Sequence, residues 1–160
     1  MRILRPWTFL AAALFSGEAQ ALHTSLAQFL ARASVETNAS LNAEQVEACM
    51  RRARDLDRLG NELDMQMEAI QTASGQAMFL QYLNRAQLPR LDDADEDTRG
   101  EFAQRTVQHD ALRRKLDADI PAYEKRSANY EAGVKTFDHE CAGTFTVRDR
   151  DAAKAKLGVQ

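Results

Sequence analysis

Few residues in this chain have the means for chemistry: two cysteines, three histidines and a run of carboxylates past its midpoint. His139-Glu140 opens like the zinc-protease helix motif, in which histidines at i and i+4 hold the metal and the glutamate acts as base. Position 143 is Gly, so the second ligand is absent and the motif fails. Cys141 lies two residues from His139, which raises the chemistry of an imidazole-activated thiol. Asp93, Asp95, Asp97 and Glu101 resemble half of an EF-hand loop. Thr98 stands where that loop needs Gly, and Gln104 where it needs a bidentate Glu. These carboxylates are read instead as acidic residues that stabilise a helix N-terminus. His23, His109 and His139 are scattered, and the Cys-x-x-Cys-His of haem attachment does not occur. No carboxylate is paired with a second group for acid–base work. The expectation is a protein that is not an enzyme and has no metal and no cofactor.

The cysteines make better sense as a pair. The chain of 160 residues opens with Arg2 and Arg5, then an apolar run from Trp7 to Phe15, then Ala19-Gln20-Ala21. Basic, apolar and small-x-small in that order is a signal peptide over 1–21, with cleavage before Leu22. The apolar run is too short to span a bilayer, and no later stretch is apolar enough to do so. The mature chain is then expected in the periplasm or secreted. Two cysteines in an exported chain favour one disulfide, Cys49 to Cys141. A net charge of −3 gives no basic footprint for nucleic acid and no polybasic membrane patch.

The elements around this pair read as helices. Gly and Pro are few, and no alternating strand pattern lasts. Segment 22–41 is a short amphipathic helix, with Leu22, Leu26, Phe29, Leu30 and Ala33 at helical spacing, followed by a linker. Its apolar face is expected to fold back on the core. Segment 42–141 is the main body. Asn42 and Gln45 form a capping box. A 3,4 repeat follows through Val46, Cys49, Ala53, Leu56, Gly60, Leu63, Met67, Ile70, Ser74 and Ala77. Arg51, Arg52, Arg54, Asp55, Asp57 and Arg58 are expected to face water. Pro89 stops this helix soon after Leu88, and Arg90 to Gly100 reads as an acidic loop. Thr98 with Glu101 predicts a second capping box, starting the return helix near Arg99. Its seam runs from Phe102 through Thr106, His109, Arg113, Leu116, Ile120, Tyr123, Ser127, Tyr130, Val134 and Phe137 to Cys141. A kink or short break is expected at Pro121, with Asp119 capping a restarted turn. Segment 142–160 begins with Gly143 as a helix-ending glycine, and Thr146 with Asp149 caps a last short helix, Val147 to Leu157.

The fold expected is all-α: a long antiparallel, coiled-coil-like hairpin closed by one disulfide, with short flanking helices. Setting Cys49 opposite Cys141 pairs Ala53 with Phe137, Leu56 with Val134, Gly60 with Tyr130, Met67 with Tyr123 and Ile70 with Ile120. Small residues then meet large ones, as interdigitated packing requires. One stretch exceeds what a two-helix seam needs. Ala77-Met78-Phe79-Leu80-Gln81-Tyr82-Leu83 is apolar around most of a helix, while Thr106, His109 and Arg113 opposite are polar. Either Leu88, Leu91, Phe102, Val107 and Leu112 fold over it, or Met78, Phe79, Leu80, Tyr82 and Leu83 form a contact patch.

The stretch Phe137-Asp138-His139-Glu140-Cys141-Ala142-Gly143, with Phe145 and Asp149 after it, resembles the C-terminal signature of small exported proteobacterial helical-hairpin proteins. In that family a Cys-Ala pair closes the second helix and an upstream Cys partners it. Arg or Asn usually follows the pair there, and Gly143 departs from this. The resemblance implies a disulfide-closed hairpin in the envelope and no activity. The function expected is protein binding in the envelope, as an adaptor, inhibitor or holdase-like factor, with an unidentified protein partner or self-association. The alternative is a bundle that binds a small ligand or metal through His109, Arg113 and the acidic turn.

Overall fold

The computed structural model describes residues 26–34 and 39–159. The leader read at 1–21 lies outside these residues, as do Leu22 and His23. The elements in chain order are α1 (Leu26–Leu30), β1 (Ala33–Ser34), α2 (Ala43–Gln87), a 3₁₀ turn (Leu88–Arg90), α3 (Glu96–Glu140), β2 (Phe145–Thr146) and α4 (Val147–Leu157). The two long helices pack together as the hairpin, and Cys49 is bonded to Cys141 at its open end. Among the described residues no helix is long and apolar enough to cross a membrane.

Local chemistry explains where α2 and α3 begin and end. Asn42 Oδ1 accepts from the Gln45 N–H at 3.0 Å, and Gln45 Oε1 accepts from the Asn42 N–H at 2.9 Å. This reciprocal box satisfies two amide donors that the first helical turn leaves open. Pro89 cannot donate to a continuing α-helix, and α2 tightens into the 3₁₀ turn around it. The return helix starts three residues earlier than Thr98 suggests. Asp95 is the cap, its Oδ1 accepting from the Thr98 N–H at 2.8 Å. Hydrogen bonding from the Thr98 side chain and then from its N–H, with Arg99 nearby, holds the Asp95 carboxyl below its usual range. Starting at Glu96 also places Glu96 and Asp97 in the first turn, where the helix dipole favours them. The acidic loop therefore shrinks to Leu91–Asp95.

The break expected at Pro121 is absent: α3 is helical throughout. Asp119 caps nothing there and pairs with Lys115 one turn back. Proline removes a single backbone bond, and the register on either side is the same, so packing carries the helix through.

The base is a small three-layered core. Phe29 of α1 lies against Phe137 of α3, with ring centroids 5.6 Å apart and an edge-on arrangement. It also lies against Phe145 of β2 at 4.8 Å. All three rings are fully buried, with Val46, Met50 and Cys141 around them. Each buried ring contributes roughly 2–3 kcal/mol. The amphipathic stretch thus folds back as core. The Leu26 N–H at the start of α1 donates to Asp57 Oδ2 at 2.9 Å, so Asp57 anchors α1 and does not simply face water. Arg52 likewise leaves the solvated face to pair with Glu140 across the hairpin.

A two-residue parallel pairing of β1 with β2 was not foreseen. It sets Ala33 beside Phe145 and Ser34 beside Thr146. Arg32 Nη1 donates to the Cys141 carbonyl at 3.1 Å, taking up an acceptor that the end of α3 leaves free. Gly143 is not the left-handed glycine expected; among the described residues only Gly158, which closes α4, has positive φ. Gly143 is required for closeness instead. A Cβ there would collide with Ser40 Oγ and lie 2.8 Å from Leu41 Cγ. The segment 40–41 is held there by Ser40 and Leu41 N–H groups that both donate to the Thr144 carbonyl at 3.0 Å. Thr146 caps α4, accepting from the Asp149 N–H at 3.1 Å, as the sequence predicts.

Candidate functional site

Neither sequence motif at the base forms a reactive site. Cys141 is fully buried and Cys49 nearly so, and the two are joined with Cα atoms 5.9 Å apart. The Cys141 thiol that sequence sets near His139 is tied up in this bond. Glu140 is engaged by Arg52, and His139 is exposed in the last turn of α3. At the other end, Asp95 is occupied as a cap. Among the described residues no three His, Cys, Asp or Glu side chains are placed to hold a metal ion.

The hairpin changes character along its length. Near the base Ala53, Leu56, Gly60 and Leu63 of α2 and Tyr130, Val134 and Phe137 of α3 are buried. Ala53, Leu56, Leu63, Tyr130, Val134 and Phe137 belong to one buried cluster, and a glycine that sequence reading passed over packs against it. A Cβ on Gly133 would lie 3.0 Å from Leu56 Cδ2, so this glycine gives Leu56 its room. Tyr130 feels both Asp57 and Asp64, the carboxylates that bracket Gly60. Burial first, and these two carboxylates after it, push the Tyr130 phenol above its usual value. Further out, Arg126 bridges the arms, donating to Glu62 Oε2 at 2.5 Å and Gln66 Oε1 at 3.0 Å.

Beyond this point the buried positions thin out. On α2 they continue only as Ile70, Ala73 and Ala77, and on α3 none follows toward the tip from Tyr130. Ile120, expected opposite Ile70, is 37% exposed. A seam with no third helix above it is covered on one side only. Past Ala77 polar side chains bridge the arms, among apolar residues that are at most half-buried. Asn84 Nδ2 donates to Thr106 Oγ1 at 3.3 Å, Arg105 Nε donates to Asn84 Oδ1 at 3.4 Å, and Arg105 also reaches Gln87. His109 is half-buried beside Asp110, at 3.2 Å.

The large apolar side chains of the distal arm point outward. Met78, Phe79 and Tyr82 are 67%, 61% and 68% exposed, and Leu80 and Leu83 are half-buried. The residues that were to fold over them do so only in part. Leu88 and Val107 are 60% and 66% exposed, while Leu91, Phe102 and Leu112 are half-buried. The intramolecular cover considered from sequence is thus incomplete. The reason is geometric: at 100° per residue, 78, 79 and 82 lie on the side of α2 opposite Ala77, and a two-helix arm has nothing there to cover them.

Two open concavities follow one another along the arm. Gln76, Phe79, Leu80, Gln108 and Leu112 line the first, of about 350 Å³. Leu83, Ala86, Gln87, Arg90, Asp93, Ala94, Asp95, Thr98 and Arg105 line the second, of about 570 Å³, at the tip. Sequence reasoning found the apolar stretch and missed the polar groups that set it off, Asn84, Gln87, Arg105 and Arg126. Their spacing carries no signal that separates them from solvated helix residues. No family model matches this chain, and no curated protein or solved structure shows significant similarity to it.

Proposed function

We propose that this is an exported, non-enzymatic protein of the bacterial envelope. It engages another protein through the distal half of its hairpin, as an adaptor, inhibitor or holdase-like factor. The observation that carries the reading is the exposure of Met78, Phe79 and Tyr82 together on one helix segment. Exposed apolar residues scattered singly are ordinary; large ones grouped on a rigid element mark contact surfaces. The base fixes the arm by a disulfide and a packed aromatic core, which leaves the distal surface free to meet a partner. Export is supported by the order of residues in 1–21 and fits a disulfide.

The test is in-cell photo-crosslinking from Phe79 or Leu83, with Glu124 on the proximal arm as the control position. A defined product from the distal positions and none from Glu124 is expected. Absence of any product at Phe79 and Leu83, with a monomeric profile by light scattering, refutes the reading.

A further inference from the structure

The base of the hairpin carries a strap that belongs to neither long arm. It runs from Leu26 to Ser34 and consists of α1, a turn and β1. The Leu26 N–H donates to Asp57 Oδ2 on α2. Phe29 lies against Phe137 of α3 and Phe145 of β2. Arg32 donates to the Cys141 carbonyl, and Ala33 and Ser34 pair with Phe145 and Thr146. Asp57 is about two helical turns from Cys49, on the side toward the tip. The strap thus starts inside the level of the disulfide and ends beyond it. Phe29, Cys49 and Cys141 belong to one buried cluster, in which Cys141 is fully buried and Cys49 nearly so.

The strap is also the most lightly fastened piece of the base. α1 has five residues, too few for a helix to stand alone, and β1 has two. One buried ring and a few hydrogen bonds hold it. The arms beneath it are 45 residues each and share a seam. α4 packs at the base too, but it has eleven residues and is capped by Thr146 and Gly158. Segments with few buried contacts open at a lower free energy than the whole fold. Lifting the strap is therefore the cheapest way to uncover the sulfurs.

We infer that the strap is a gate on the redox state of Cys49 and Cys141. A dithiol reductant reaches their bond when Leu26–Ser34 lifts, with the long helices still folded. A thiolate of the reductant attacks one protein sulfur and forms a mixed disulfide, and the other sulfur leaves as a thiolate and takes up a proton. The second thiol of the reductant, deprotonated, then attacks the mixed disulfide, releases the remaining cysteine and closes its own disulfide. Two electrons pass to the protein, and the dithiol is oxidised. The gate is independent of what the distal arm binds.

The test is the rate at which dithiothreitol reduces the native protein, with samples trapped by excess N-ethylmaleimide and read by mass spectrometry. Arg32→Ala, at an exposed position, removes one fastening of the strap and no core contact; it should raise the rate about threefold or more. Phe29→Ala removes the ring and should raise it at least about tenfold. Ile70→Ala is the control. It empties a buried position outside the base cluster, about 30 Å along α2 from Cys49. It lowers global stability more than Arg32→Ala does, yet should change the rate by less than about twofold. If Ile70→Ala accelerates reduction more than Arg32→Ala, the bond is reached by unfolding of the whole hairpin and the inference is wrong. Equal rates in Arg32→Ala, Phe29→Ala and the wild type would mean that another element covers the sulfurs, which also overturns it. So does wild-type reduction as fast as that of the protein unfolded in guanidinium, since the bond would then have no gate.

Discussion

The disulfide allows a magnitude to be worked from the structure. Cys49 and Cys141 are 92 residues apart in sequence, so the bond closes almost the whole hairpin into one loop. Removing it frees the unfolded chain. By the loop-closure relation that release is worth about 4.6 kcal/mol as an upper bound. For a chain of this size the entropy of unfolding is about 0.3 kcal/mol/K, so Tm should fall by up to about 15 °C. The aromatic core, the Arg52–Glu140 pair and the Arg32 bond to Cys141 do not depend on the bridge, so the fold should persist. The perturbation is Cys49→Ala with Cys141→Ala, and the assay is thermal unfolding by far-UV circular dichroism. Single Cys49→Ala should lose about as much, because it breaks the same loop. A drop under about 3 °C would show that the ends stay together in the unfolded chain without the bond, and the loop-closure reasoning fails. Thiol labelling gives an independent check. Both sulfurs are buried and bonded, so the native protein should take up no label; modification of both cysteines contradicts the closed base.

Four further outcomes follow from named residues. Phe29→Ala should cost about 3–5 kcal/mol, since a fully buried ring that touches Phe137 and Phe145 is lost. Phe79→Asp should change stability by less than about 0.5 kcal/mol, since Phe79 is exposed; chemical denaturation of both variants checks the contrast. Gly143→Ala should destabilise by about 1–3 kcal/mol, because the added methyl meets Ser40 and Leu41. An unchanged melt would mean that the 40–41 segment gives way freely. The fold prefers the neutral Tyr130 phenol, whose pKa is raised above 10.0 by burial and by Asp57 and Asp64. Its contribution is whole below that ordinary value and is lost as pH rises through the folded one. Stability should therefore fall above about pH 10, and Tyr130→Phe should flatten that part of the profile in pH-dependent melts.

How much of this was legible follows from the range of each interaction. The boundaries at Asn42 and Thr146 rest on a side chain and an amide three residues away, so a short sequence window contains the whole device. At the turn two such devices compete, Asp95 to Thr98 and Thr98 to Glu101. Sequence spacing ranks them equally. The structure takes the one that draws more acidic residues into the first turn. The hairpin itself was legible because one repeat of apolar positions fixes which face of each arm is inward. The pairing of Ala33 with Phe145 was not, because two-residue strands separated by more than a hundred positions leave no pattern. Gly143 was noticed for the wrong reason. A glycine after a helix looks the same in sequence whether its φ or its neighbours require it.

The distal arm shows where an apolar pattern alone ceases to decide. A seam bridged by Asn84, Gln87, Arg105 and Thr106, with Leu80, Leu83, Phe102 and Leu112 only half-buried, gains less from the hydrophobic effect than the base does. Its arms stay together through these polar contacts and through rigid helices held at the base. Phe79, exposed, and Leu80 and Leu83, half-buried, then line the concavities as an open groove without closing into a core. Moving them inward would strengthen the hairpin and erase the groove. Exchanging the two sets tests the trade directly. Asn84→Leu with Thr106→Leu, two half-buried seam positions brought together at the same level of the arm, should raise Tm by filling the seam with apolar contacts. Photo-crosslinking at Phe79 should persist in that variant, since its side chain points elsewhere. If filling the seam instead lowers Tm, the polar contacts between the arms are themselves holding the distal helices in register, and the groove depends on them.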